Sequence, residues 1–181
     1  MRFYCIAVRT GMEDAFTESV RSLTEGDGSI LCGALHVLKK RMRLKKGKEY
    51  KECFFPGYVF LETDESAVEK LHCLSEGKGF IRFLPSSNEI RPLVEHDKEI
   101  VKSILRFGST VGIVPVMFDA GDRIVITGGP FKDFSGRVVA VNRRNKRLNI
   151  EIDFMNGVRV VGLSYEVVKK AEKPETSGTS S

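Results

Sequence analysis

The sequence predicts an α+β chain in two parts, an N-terminal α/β sandwich on a mainly antiparallel sheet and a small C-terminal β-barrel. Up to residue 107, apolar runs typical of buried strands alternate with stripes of helical period. After residue 117 the helical stripes stop, and short strand-like runs follow one another at turn residues. Between the two, from Phe107 to Met117, Gly, Ser, Thr and Pro come in quick succession.

Phe3–Val8 is continuously apolar and rich in strand formers, the pattern of a central strand covered on both faces. Phe16, Val20 and Leu23 then recur at i, i+4 and i+7, which predicts a helix over 12–23. Ala34–Leu44 reads as a strand that leaves the core and becomes one arm of a solvated hairpin, turning at Lys46-Gly47-Lys48. Phe54-Phe55-Pro56-Gly57 leads into a buried strand over 58–61, a proline being harmless just before a strand. A short helix over 65–74, a strand over 80–84, a turn at 86–88 and an amphipathic helix over 95–107 complete the first part. That last helix carries Glu95, Asp97 and Glu99 at its positive end, and Lys102 and Arg106 near its negative end. The segment 108–117 reads as a linker with some apolar contacts. Strands are predicted over 123–127, 137–142, 148–154 and 158–163, closing into a barrel domain over 118–172 that removes its own edges. The tail, 173–181, has no core-forming residue and is expected to be disordered.

The 181 residues are 41% hydrophobic and 29% charged with a net charge of +5, values of an ordinary soluble chain and far from those of a histone. No apolar run is long enough for a signal-peptide core or for the roughly 20 residues of a membrane span, so a cytoplasmic protein with no membrane partner is expected. The four cysteines, at 5, 32, 53 and 73, form no CxxC pair, and His36, His72 and His96 share no metal-ligand spacing. No nucleophile elbow, phosphate loop or zinc-protease motif is present. An enzyme, a metal and a cofactor are all disfavoured.

Charge is concentrated instead. Between Lys39 and Lys51 stand eight basic residues against one acid, Glu49. Lys39, Lys40, Arg41, Arg43, Lys45, Lys46 and Lys48 would crowd one hairpin that repels itself and suits a polyanion. Tyr50 beside them is a candidate for base stacking. A second cluster, Arg137, Arg143, Arg144, Lys146 and Arg147, has no acid between Phe134 and Ile150 and would fan out from a hairpin tip of the barrel. Lys132 and Arg159 would extend that surface, whereas Gly129, Pro130 and Gly136 read as turn residues with structural jobs.

Two motifs carry a family resemblance. Phe55-Pro56-Gly57-Tyr58-Val59-Phe60 inside an N-terminal α/β domain resembles the signature of the NusG family of transcription elongation factors. The run Gly121–Ile126, Gly129-Pro130-Phe131 and Gly136-Arg137-Val138 looks like that family's C-terminal SH3-like KOW barrel. Both motifs occur in the family's order and spacing, and the resemblance covers nearly the whole chain up to the tail. In place of the T-P-V-E-L-like strand of housekeeping members stands Arg159–Leu163, without the Pro and Glu. In this respect the chain looks more like the specialised LoaP-type antitermination paralogues.

The resemblance implies a non-enzymatic factor that docks on the RNA polymerase clamp through residues 1–107, with Phe55, Pro56, Tyr58, Phe60 and Phe80 as docking residues. It implies that the barrel grips a hairpin in nascent RNA, so that terminators are read through at specific operons, and that the basic hairpin touches upstream or non-template DNA. The chain is expected to act as a monomer. The alternatives are a housekeeping factor coupling transcription to the ribosomal small subunit or to Rho, and a ribosome-associated RNA-binding structural protein.

Overall fold

The computed structural model describes residues 1–26, 33–44, 46–86, 88–132 and 137–168. Lys45, Gly136, Cys32 and the expected disordered tail lie outside them.

The first domain runs β1 (Arg2–Val8), α1 (Glu13–Gly26), β2 (Gly33–His36), β3 (Lys39–Arg43), β4 (Glu49–Cys53) and β5 (Tyr58–Thr63). A 3-10 helix (Glu65–Glu76), β6 (Phe80–Phe83), the two-residue strands β7 (Pro85–Ser86) and β8 (Glu89–Ile90), and α2 (Glu95–Leu105) follow. Its central sheet has the order β2-β5-β1-β6, with every neighbouring pair antiparallel. Because side chains alternate across a strand, β1 and β5 feed two different cores. Tyr4, Ile6, Val8, Val59 and Leu61 meet Phe16 and Val20 of α1 and Leu71 and Leu74 of the 3-10 helix. Phe3, Cys5 and Phe60, on the other face, meet Ile100, Val101 and Ile104 of α2.

The barrel domain consists of β10 (Val114–Phe118), β11 (Ile124–Ile126), β12 (Arg137–Asn142), β13 (Arg147–Phe154) and β14 (Gly157–Val167), in the order β11-β10-β14-β13-β12. Among the described residues the end strands β11 and β12 do not pair with each other, so the expected removal of both sheet edges is not seen. The β13–β14 register places Phe154 opposite Gly157, leaving a two-residue turn of Met155 and Asn156 with φ of 53° and 59°. Both residues in the left-handed region give the turn that matches the twist of the flanking strands.

Two expectations are corrected here. The segment 108–117 is not a free linker. Thr110–Val111 forms β9, parallel to β3, and Val114 opens β10, which pairs with β14 and β11. Alternation decides it: Val114 and Val116 are buried on either side of Pro115, whose carbonyl still accepts from the Thr127 N–H at 3.0 Å. The stretch 34–44 is likewise two strands, β2 in the central sheet and β3 in a separate sheet of order β4-β3-β9. The turn at Gly47, φ +80°, lies at the predicted place.

One core cluster ignores the domain boundary. The face of the sheet that carries Phe3, Phe60 and α2 continues into Leu148, Ile150, Phe154 and Leu163 of the barrel.

Candidate functional site

The turn before β5 builds the centre of the site. Gly57 has φ +83°, and a β-carbon there would come within 3.1 Å of Thr10 Oγ1 and 3.2 Å of the Val8 carbonyl. Its N–H donates to Glu13 Oε1 at 2.6 Å, and its carbonyl accepts from the Val8 N–H at 2.8 Å. Thus β1, α1 and the turn are tied together at one residue, with Glu13 buried in the first turn of α1. Held in this way, Phe54, Phe55, Tyr58 and Phe60 all join the α2 side of the sheet, while Pro56 stays exposed.

The barrel sits on these aromatic side chains. Phe55 stacks on Phe154 with centroids 4.3 Å apart, Phe60 meets the same ring edge-on at 6.0 Å, and Phe54 meets Phe131 at 5.7 Å. Phe55 and Phe60 are buried, and Tyr58 is half-buried against the same cluster. Of the five expected docking residues, Phe55, Tyr58 and Phe60 therefore lie together under the barrel, while Pro56 beside them stays exposed. Phe80 is corrected: it packs on the opposite, α1-facing side, 6.5 Å from Phe16 and 5.2 Å from Phe83. Its strand meets β1 with a register shift at Ala7/Val8, and it belongs to the other core.

Polar contacts seal the seam on two sides. The Met155 N–H donates to Asp97 Oδ1 at 3.0 Å, and His96 Nε2 lies 3.0 Å from the Asp153 carbonyl. Asp97 stands in the first turn of α2, as its place in the sequence predicts, and is also buried there as the acceptor that holds the Met155 turn of the barrel. On the other side the Arg43 N–H donates to Ser164 Oγ at 3.0 Å, and Arg147 Nη2 reaches the Arg43 carbonyl at 3.4 Å and Tyr50 Oη at 3.3 Å.

The basic residues divide into engaged and open groups. Lys39 pairs with Asp14 at 2.6 Å, while Arg41 and Arg43 share Glu49 at 3.5 and 3.2 Å. Lys40 is corrected from the solvated set: it is 5% exposed, lies 5.8 Å over the Phe54 ring, and has its pKa pulled down by burial. Strand alternation explains it, since Lys40 and Met42 point from β3 toward the core side. Lys46 and Lys48 are exposed with no ion pair among the described residues.

In the barrel, Arg137 pairs with Glu151, and Arg143 pairs with Asp122 at 2.7 Å while covering the Phe118 ring at 4.4 Å. Lys132, Arg144, Lys146 and Arg159 are exposed with no ion pair among the described residues, and Arg147 is half-buried in the seam. Burial pushes the Cys5 and Cys53 thiols up, and no group of metal-ligating residues occurs among the described residues.

Sequence reasoning missed Phe54, Phe131, Phe154, Asp97 and Ser164 as seam residues. A usable signal was the surplus of large aromatics at 131 and 154 in a domain too small to bury them itself.

A family model described as transcription termination factor nusG matches residues 1–103, and the KOW motif model matches 120–153. The chain belongs to the NusG family. Curated relatives named transcription termination/antitermination protein NusG include one from Buchnera aphidicola subsp. Baizongia pistaciae. It is 28% identical over 180 residues, covering 93% of this chain and 96% of that protein. A relative of the same name from Vibrio cholerae is 25% identical over 179 residues, covering 94% and 96%. A solved structure titled "Domain interaction in Thermotoga maritima NusG" has the same fold, with a TM-score of 0.61 at 21% identity over 90% of this chain and 93% of that one. As a NusG-family member the chain is a transcription factor in a family not of enzymes, with an antiparallel α/β domain followed by a KOW β domain. Among the described residues, no helix is long and apolar enough to cross a membrane.

Proposed function

We propose that this NusG-family chain is an elongation and antitermination factor that docks on the RNA polymerase clamp through Phe55, Pro56, Tyr58 and Phe60, and contacts nascent RNA through its barrel. The observation that carries this reading is the aromatic face that its own domain leaves for Phe154 and Phe131 to cover. Aromatic side chains offer large contact area with few rotors to freeze, the make-up of interface anchors. Barrel and polymerase then compete for one surface, so docking requires the barrel to move off.

The finer reading is operon-specific antitermination of the LoaP type. It is supported by the Arg159–Leu163 strand and by Arg144, Lys146 and Arg159, which stand exposed for RNA phosphates. Lys132 extends the same surface, while Arg137 and Arg143 would first have to leave their carboxylate partners. A housekeeping role with the ribosome or Rho is the second reading, favoured by the termination/antitermination name of the relatives.

Polymerase pulldown with the full chain, followed by titration with structured 5′ leader RNAs, tests both steps. Capture of polymerase and preference for one leader hairpin are expected. Failure to bind polymerase overturns the reading, and equal weak binding to every RNA moves it to the housekeeping role.

A further inference from the structure

The two basic clusters, separate in sequence, meet at one place. The tip of the β3–β4 hairpin and the tip of the β12–β13 hairpin enclose a cleft of about 460 Å³ lined by Arg43, Leu44, Lys46, Lys48, Asn145 and Arg147. Four of these six residues are cationic. The carboxylate that faces them is Glu49, already shared by Arg41 and Arg43. Leu44 is 45% exposed, an apolar surface beside the cations. Tyr50, exposed and tied by its hydroxyl to Arg147, stands at the same seam. The Asn145 amide oxygen is buried at the cleft wall with no hydrogen-bond partner among the described residues.

We propose that this cleft binds the backbone of single-stranded nucleic acid, and that it exists as one site only while the two domains are closed. The proposal deepens the RNA-binding reading above and rests on it only for the identity of the strand. Arg43, Lys46 and Lys48 supply phosphate contacts from the first domain and Arg147 from the second. Leu44 and Tyr50 offer faces for a base. A strand bound across the seam stabilises the closed form by the same free energy with which closure strengthens its binding. It therefore opposes exposure of Phe55 and Phe60.

The test is fluorescence-anisotropy titration of the full chain with labelled oligouridine RNA of about twelve nucleotides and with its DNA counterpart, over a range of salt. With four phosphate contacts the log-log salt slope is about −3. The double variant Lys46→Ala/Lys48→Ala, confined to an exposed turn, is expected to weaken binding at least about tenfold and to bring the slope to about −1.5. Phe154→Ala, which opens the seam while leaving every cation in place, is expected to weaken binding comparably; Asp97→Ala is the second opening variant should Phe154→Ala not fold.

Wild-type affinity in either the Lys46/Lys48 variant or both opening variants would overturn the proposal, as would the absence of binding at low salt. If Arg144→Ala/Arg159→Ala alone weakens binding, the composite cleft is wrong while RNA binding by the barrel stands. The RNA and DNA arms tell which strand is preferred, and polymerase capture, which uses neither oligonucleotide, reports separately on docking.

Discussion

Phe55 of the first domain and Phe154 of the barrel lie face to face, their ring planes 19° apart and their centroids 4.3 Å apart. The ring contacts of Phe154 are with Phe55 and Phe60, both across the domain boundary. A strand-end residue of a small barrel is thus part of the hydrophobic core of its neighbour, and the two domains share one cluster.

A shared core couples unfolding. The wild-type chain is expected to give one calorimetric transition, and Phe154→Ala, at a cost of about 3 kcal/mol, to split it into two. Differential scanning calorimetry checks this, and a single transition in both chains would argue against coupling through these rings.

Glu13 is the carboxylate that holds the turn before β5. Glu13→Ala leaves the Gly57 N–H without its acceptor inside the protein, and is expected to destabilise the chain by about 1–3 kcal/mol. Urea denaturation measures it. Gly57→Ala is expected to cost a similar amount, because it places a side chain at φ +83° against Thr10 and Val8.

Lys40 makes stability depend on pH in a defined sense. Burial lowers its folded-state pKa below the ordinary lysine value of 10.5. Between those two values the unfolded chain holds a proton that the folded chain has released, so this contribution to stability rises with pH. Lys40→Met is expected to remove that rise and to stabilise the protein at neutral pH by about 1 kcal/mol. The difference between wild-type and variant unfolding free energies at pH 8 and pH 10 isolates the effect from the other alkaline groups.

Thiol chemistry reports the same burial. In a Cys32→Ser chain, Cys73, which is exposed, is expected to react with Ellman's reagent first and Cys53 more slowly. Cys5, buried with its thiol pushed up, is expected to react only on unfolding.

The fold was legible wherever local pattern decides structure. The apolar run of β1, the i, i+4 stripe of α1 and the turn at Gly47 are set by periodicity and glycine. The segment 108–117 was misread because Gly, Ser and Pro signal loops locally, whereas Val114 and Val116 became strand residues by pairing with β14, some 50 positions away. The shared face of Tyr58 and Phe60 was readable from strand parity; Phe80 was not, because the face it takes depends on the register shift between β1 and β6. The charge of Lys40 pointed to solvent, but its place on β3 put it under the barrel. Nothing local signals that Phe55 meets Phe154, since that contact is made between domains.

Binding of the polymerase clamp by wild type, Phe154→Ala and Phe55→Ala/Phe154→Ala decides whether barrel and polymerase take one face. Phe154→Ala is expected to bind more tightly than wild type, having no closure to undo. Removing Phe55 as well should then lose about 2 kcal/mol, the cost of one anchor. Equal affinity for wild type and Phe154→Ala, or no loss on removing Phe55 from the opened chain, would contradict the claim that polymerase and barrel take the same aromatic face.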